Sequence, residues 1–149
     1  DPIIVGDKYR ENMAYSKRII HGARACLNRL SQNHDLYCVT NGITRTQILR
    51  LKSSGLGKYF KKVYISQQMG LAKPSKEFFQ FVLQDIGDCD LNKTYIIGDS
   101  LTSDIQGGIN SGIKTILFNK EGKLIKDIVP DWQVRGYKEL EGLIEKLAK

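Results

Sequence analysis

Two polar segments of this sequence contain groups that commonly bind a phosphate. The first, Thr40-Asn41-Gly42, offers a hydroxyl, a side-chain amide and a glycine N–H just before a predicted helix, and together these could cradle an anion. The second is Lys73, whose charge could offset that of a phosphoryl group, followed by Pro74 at the start of another predicted helix. Each segment also has an ordinary explanation, because Thr and Asn cap helices and a lysine before a helix-opening proline can simply be solvated.

A third segment carries carboxylates. Asp99 follows a short apolar run and Gly98, and Asp104 lies five residues further on, so the two acids flank the first turn of a predicted helix. Oxygen ligands spaced in this way suit Mg²⁺, which keeps several waters in protein sites. Helix capping by aspartate is the competing explanation. Taken together, a hydroxyl, a cation and acids for Mg²⁺ are the parts needed to stabilise phosphoryl transfer electrostatically.

The apolar pattern predicts the elements that must position these residues. Four nearly continuous apolar runs are typical of strands that helices cover on both faces, and they alternate with helical patterns. This order predicts an α/β fold with a parallel sheet and right-handed crossovers, in which the polar segments follow the carboxyl ends of strands. The predicted strands are Leu36–Val39, Val63–Ile65, Tyr95–Ile97 and Thr115–Phe118, and the predicted helices are Thr44–Ser53, Ser75–Ile86, Leu101–Ser111 and Gly136–Ala148.

The first residues follow a different pattern. Tyr9–Ile20 is predicted to be helical, His21-Gly22 interrupts the pattern, and a second helix is predicted over Ala23–Leu30. The interruption fits either an ordinary turn or a hinge between an accessory piece and the core.

Composition and charge exclude several classes of protein. The 149 residues include 41% apolar residues and carry a net charge of +7, which fits a folded domain. No stretch approaches the roughly 20 apolar residues of a membrane span. The basic residues are scattered, with no dense basic arm, which argues against a nucleic-acid partner. Three widely spaced cysteines, Cys26, Cys38 and Cys89, favour a reducing, cytoplasmic setting.

The motifs VTNG, AKP and IIGDSLTSD, in this order and spacing, resemble the second, third and fourth motifs of the haloacid dehalogenase superfamily of phosphohydrolases. The stretch TNGITRTQILRLKSSGLGKYF, with AKPSKEFF, GDSLTSDIQGG and PDW after it, is most similar to the pyrimidine 5′-nucleotidase-like (YjjG-type) subgroup. The resemblance covers about residues 20–137 and implies a Rossmann-like core. It also implies that Thr40 and the backbone at Asn41 bind phosphate, beside Gly42, and that Lys73 offsets charge on the phosphate and the nucleophile. Asp99 would bind Mg²⁺, and Asp104 would support the metal site or Lys73.

One expected motif is missing. The family's reaction begins with an Asp-x-Asp motif at the end of a first strand, and no such motif precedes Thr40; Asp88-Cys89-Asp90 has the letters but falls before a strand. We therefore expect residues 1–20 to be the last helix of a helical cap module with its hinge, and residues 21–149 to be a partial core. The absent strand would lie between the strands ending at Thr40 and Ile97, so an N-terminal segment or a second chain is expected to complete the sheet.

Three hypotheses about function follow from the sequence. The first is a Mg²⁺-dependent phosphomonoesterase that acts on a nucleoside 5′-monophosphate or similar small phosphate, through an aspartyl-phosphate formed by the missing segment. The second is a noncatalytic phosphate-binding remnant. The third is a receiver-like or nucleic-acid-binding module. Within the superfamily, a sugar phosphatase or a dehalogenase remains an alternative, although a lysine and a metal site fit phosphate chemistry better than carbon–halogen cleavage.

Overall fold

The structure, a computed structural model, describes residues 18–149, which divide into two compact units: the first ends at Gly70 and the second is Leu71–Lys149. Strands and helices are numbered here in chain order within the described residues. Each unit contains its own parallel sheet: β1 pairs with β2 in the first unit, and β3, β4 and β5 pair in that order in the second. The α/β class predicted from the sequence is confirmed.

In the described part of the first unit, three α-helices and the short 3-10 helix Gly57–Tyr59 accompany the two strands. β1 and β2 are parallel, and the end of β1 at Thr40 lies opposite Ile65 at the end of β2. The elements are α1 (Ala23–Leu30), β1 (Tyr37–Thr40), α2 (Thr44–Ser54), β2 (Lys62–Ile65) and α3 (Ser66–Met69). The buried apolar side chains of this unit are Cys26, Tyr64 and Ile65.

The second unit contains a three-stranded sheet and three helices. Gly98 at the end of β3 lies opposite Leu117 in β4, and Phe118 at the end of β4 lies opposite Val134 in β5. The elements are α4 (Lys76–Ile86), β3 (Tyr95–Gly98), a π-helical turn (Leu101–Ile105) that leads into α5 (Gln106–Ser111), β4 (Lys114–Phe118), β5 (Trp132–Val134) and α6 (Tyr137–Leu147).

Two glycines allow close packing in the second unit. A Cβ at Gly108 would lie 2.5 Å from Ile96 Cγ2 and 2.6 Å from Thr115 Cγ2, and a Cβ at Gly107 would overlap the ring of Phe79. Helix α5 therefore approaches both the sheet and α4 more closely than a helix with larger side chains could. The core of this unit comprises Phe78, Phe79, Val82, Ile96, Ile105, Ile113, Ile116, Leu117, Val134, Leu140 and Ile144.

The sheet differs from the prediction in two respects. The sequence predicted an open parallel sheet with a strand absent between those ending at Thr40 and Ile97, whereas the described residues form two separate parallel sheets, in which β1 and β3 each have one hydrogen-bonded neighbour. The third strand of the second sheet, β5, was not predicted, because the polar Gln133 in its middle interrupts the continuous apolar run by which the other strands were recognised.

The predicted N-terminal helix cannot be compared with the structure over most of its length. Residues 9–17 of Tyr9–Ile20 lie outside the described residues, and residues 18–20 are not helical. The proposed boundary of a cap module at residue 20 therefore stays a prediction.

Within residues 18–149, no helix has the length and apolar character needed to cross a bilayer.

Candidate active site

A nearly buried ion pair joins two of the predicted site residues in the second unit. Lys73 Nζ lies 2.5 Å from Asp104 Oδ1, and the two side chains are only 10% and 9% exposed. The other oxygen of Asp104 accepts a hydrogen bond from the backbone N–H of Ser100 at 3.2 Å. Both carboxylate oxygens of Asp104 are thus held by donors, as a buried charge requires.

The turn after β3 explains why Asp104 points to this place. Ser100 caps the π-helical turn, since its hydroxyl accepts a hydrogen bond from the N–H of Ser103 at 3.2 Å. A Cβ at Gly98 would overlap the carboxylate of Asp104. Gly98 is therefore needed here for space: it lets the side chain of Asp104 fold back over the end of β3.

Lys73 is held by contacts around the start of α4. Ser75 caps α4 by accepting a hydrogen bond from the N–H of Phe78 at 3.2 Å. The carbonyl oxygen of Pro74 accepts a hydrogen bond from Asn110 Nδ2, on α5, at 3.1 Å. The backbone that carries Lys73 is therefore tied to both helices, which reduces the conformational entropy lost when the lysine binds a partner.

Asp99 lies directly after β3 and is exposed. An exposed carboxylate at the carboxyl end of a parallel strand is accessible to a hydrated cation, and Mg²⁺ is often held by one or two carboxylates with waters completing its shell. Within residues 18–149, no group of three or more His, Cys, Asp or Glu residues is placed to hold a metal ion. The predicted carboxylate ligands at this strand end are Asp99 and Asp104, and the carboxylate of Asp104 is already paired with Lys73.

The loop after β4 adds a cation that the sequence analysis did not single out. The buried side chain of Asn119 accepts from the N–H of Lys123 and donates to its carbonyl oxygen, both at 2.9 Å. Lys123 Nζ lies 2.9 Å from Glu121 Oε2. The hydrogen bond and charge of Glu121, together with the charge of Asp99, raise the pKa of Lys123. In the sequence, an asparagine directly after a predicted strand indicates a loop whose backbone is held by side-chain hydrogen bonds.

In the first unit, the predicted phosphate cradle is a loop at the end of β1, residues 40–44. The hydroxyl of Thr40 lies 3.4 Å from the carbonyl oxygen of Asn41. The N–H of Gly42 donates to Ser66 Oγ at 2.9 Å, and the N–H of Thr44 donates to Gln67 Oε1 at 2.8 Å. Two N–H groups of the loop are therefore engaged by side chains that follow β2, which the sequence analysis did not identify.

The alternative Asp-x-Asp segment has a structural role. The side chain of Asp90 accepts a hydrogen bond from the N–H of Asn92 at 2.9 Å and caps the short 3-10 helix Leu91–Lys93 before β3. Asp90 thus lies at the amino end of the strand whose carboxyl end leads into Asp99. The expectation that this segment does not supply the nucleophile stays a prediction.

Fold and site together define a class: a parallel α/β protein with a lysine–carboxylate pair and a second, exposed carboxylate at the carboxyl end of one strand. Residues 3–118 match the family of haloacid dehalogenase-like hydrolases, and the chain belongs to this family. The family predicted from the VTNG, AKP and GDSLTSD motifs is confirmed.

Several bacterial proteins align with most of this chain. Over 148 residues it is 38% identical to the pyrimidine 5′-nucleotidase PynA of Streptococcus pneumoniae, covering 98% of this chain and 62% of the relative. The pyrimidine 5′-nucleotidase YjjG of Escherichia coli is 37% identical over 126 residues, or 84% and 56% of the two chains. The crystal structure of the HAD-hydrolase YfnB from Bacillus subtilis bound to magnesium superposes with a TM-score of 0.90 at 38% identity, covering 95% and 62%. The chain thus spans about three fifths of the length of these relatives.

Proposed function

We propose that this protein is a Mg²⁺-dependent phosphomonoesterase that acts on a nucleoside 5′-monophosphate or a similar small phosphate. The nearly buried Lys73–Asp104 pair carries the proposal, because a lysine fixed in this way at the end of β3 can neutralise a phosphoryl group without first being ordered. Two relatives that are named pyrimidine 5′-nucleotidases support the substrate class.

The proposed phosphate-binding residues of the first unit are Thr40, Asn41 and Gly42. The N–H of Gly42 donates to Ser66 Oγ, so Gly42 is proposed to shape the loop, and the phosphate contacts are assigned to Thr40 and Asn41. In the second unit, Lys73 is proposed to offset the charge of a phosphoryl group. Asp99 is a ligand of Mg²⁺, which when bound would polarise the phosphoryl group as a Lewis acid. Asp104 holds Lys73 or adds to the metal site, and its contacts with Lys73 and the Ser100 N–H support the first of these roles.

The proposal assigns the attack on phosphorus to an aspartate outside these 149 residues. The strand that carries it would pair with the open edges of β1 and β3, each of which has one hydrogen-bonded neighbour in the described part of the chain. An N-terminal segment or a second chain would supply this strand. The cytoplasm is the proposed location, and this rests on the cysteine spacing alone.

The test is phosphate release by the protein produced from its complete coding sequence, with a panel of nucleoside 5′-monophosphates and sugar phosphates. We expect activity with Mg²⁺, loss of activity with a chelator, and a fall of about 100-fold or more in kcat/KM for Asp99→Asn, since a metal ligand is lost. Asp127→Asn is the matched control, because Asp127 is also exposed in the second unit.

Each contrary result points to one of the alternatives. Phosphate binding without turnover would favour a noncatalytic remnant. Turnover that survives both the chelator and Asp99→Asn would exclude the proposed metal site. A preference for sugar phosphates would retain the phosphatase and replace the nucleotide substrate.

A further inference from the structure

The loop formed by residues 40–44 leads into helix α2 without supplying a side chain that caps the N-terminus of this helix. Helix α2 starts at Thr44, and the residue before it, Ile43, has an extended backbone and an apolar side chain that cannot accept a hydrogen bond. The first N–H groups of a helix have no partner within the helix, and an adjacent Ser, Thr, Asp or Asn usually accepts from one of them. An acceptor for these N–H groups must therefore come from elsewhere in the chain or from water.

The residues directly after β2 supply the missing acceptors. Gln67 Oε1 accepts from the N–H of Thr44 at 2.8 Å, which caps α2 from a neighbouring element. Ser66 Oγ accepts from the N–H of Gly42 at 2.9 Å and lies 3.5 Å from the carbonyl oxygen of the same residue, so one hydroxyl contacts both backbone polar groups of Gly42. The parallel register, with Thr40 opposite Ile65, brings Ser66 alongside this loop.

The locations of these side chains separate this role from core packing. Gln67 is exposed and Ser66 is half-buried, and neither belongs to the buried apolar core. Their hydrogen bonds are directed at the loop backbone, with one on each side of Ile43. They fix the direction of the loop that carries Thr40 and Asn41 without adding substantially to the apolar surface buried in the first unit.

We propose that Ser66 and Gln67 are positioning residues that hold the loop of residues 40–44 in the conformation that binds a phosphate. This inference rests on the proposed function of Thr40, Asn41 and Gly42. The two residues act through the backbone of Gly42 and Thr44, so their loss weakens the recognition of the phosphate group more than it weakens the fold.

Helix α3 contains a matched control for Gln67. Gln68 is the next residue, is also exposed, and makes no side-chain hydrogen bond with residues 18–149. The pair Gln67→Ala and Gln68→Ala therefore removes the same side chain from adjacent positions of one short helix. For Ser66, the pair Ser66→Ala and Ser66→Thr removes or keeps the hydroxyl.

Two measurements on the protein from the complete coding sequence test the proposal: amide hydrogen exchange at Gly42 and Thr44, and the dissociation constant for inorganic phosphate in the presence of Mg²⁺. We expect Gln67→Ala to accelerate exchange at Thr44, and Ser66→Ala to accelerate exchange at Gly42. Each should weaken phosphate binding by about fivefold to tenfold, the scale of one lost hydrogen bond. Gln68→Ala and Ser66→Thr should stay within about twofold of the parent protein, and the melting temperatures should change little.

The outcomes separate this inference from the proposed function. Faster exchange with unchanged phosphate affinity would overturn the inference, because the bonds would then be structural only. Equal effects of Gln67→Ala and Gln68→Ala would also overturn it. If the parent protein binds phosphate but releases none from any phosphomonoester, the proposed catalysis fails, whereas the affinities of the variants still decide the positioning role.

Discussion

The two units hold their candidate site residues in different ways. In the second unit, Lys73 and Asp104 form an ion pair with side chains about one-tenth exposed, beside a core of well-buried residues such as Phe78 and Ile105. In the first unit, Thr40, Asn41 and Gly42 lie on a half-buried to exposed loop, and the strand that leads to it, β1, is half-buried at every residue. The loop is fixed by side-chain hydrogen bonds to its backbone.

Because of this difference, substitutions in the two units should have different effects on the free energy of unfolding and on binding. A buried charge pair must stay complete, because one partner left alone carries an uncompensated charge in a poorly solvated place. Hydrogen bonds at a partly exposed loop can be exchanged for water at a small cost in free energy of unfolding. Substitutions in the second unit should therefore affect stability and activity together, whereas those in the loop should affect mainly binding.

The largest expected effect on stability comes from breaking the ion pair. We expect Lys73→Met to lower the free energy of unfolding by about 3 kcal/mol, because it leaves the carboxylate of Asp104 without its cation. Lys76→Met, at an exposed position on the first residue of α4, should change it by less than about 0.5 kcal/mol. Urea unfolding of the two variants measures the difference. Equal stability would show that the pair contributes nothing to the fold and would remove the contrast between the units.

A smaller effect is expected from filling the space beside α5. Gly108→Ala should destabilise the protein by about 1–2 kcal/mol, because the new methyl group would be pressed against Ile96 and Thr115. Gly142→Ala in α6 would meet no atom of residues 18–149 within 4 Å and should instead stabilise the protein by about 0.5–1 kcal/mol through helix propensity. Thermal unfolding of the two variants gives the sign of each change. Stabilisation by both would mean that the second unit is less densely packed than its contacts indicate.

Much of the fold follows from local sequence patterns. The four predicted strands agree with the observed ones to within one residue at each end, and the predicted ends of the helices before Gly55 and Gly112 reflect the left-handed conformation of both glycines. Strand β5 was not predicted, because Gln133 interrupts its apolar run and its three residues form a strand by pairing with β4. The predicted strands Val63–Ile65 and Tyr95–Ile97 are equally short, but their residues are all apolar.

The site was predictable in its residue types but not in its contacts. The sequence placed Lys73 and Asp104 near strand ends and left open whether Asp104 serves the metal or the lysine; their ion pair depends on how α4 and the turn after β3 pack. The bonds from Ser66 and Gln67 to the loop depend on the register of β1 and β2. Such contacts join residues more than 20 positions apart, so local patterns cannot reveal them.

The central claim is that Lys73, held by the carboxylate of Asp104, binds the phosphate group of the substrate. Lys73→Gln tests it directly, with Lys76→Gln as the matched exposed control and the affinity for inorganic phosphate measured by calorimetry in the presence of Mg²⁺ on folded protein from the complete coding sequence. We expect Lys73→Gln to weaken phosphate binding by about tenfold or more, because a charge-assisted hydrogen bond is lost, and Lys76→Gln to change it by less than about twofold. Equal phosphate affinities of the two variants would contradict the account.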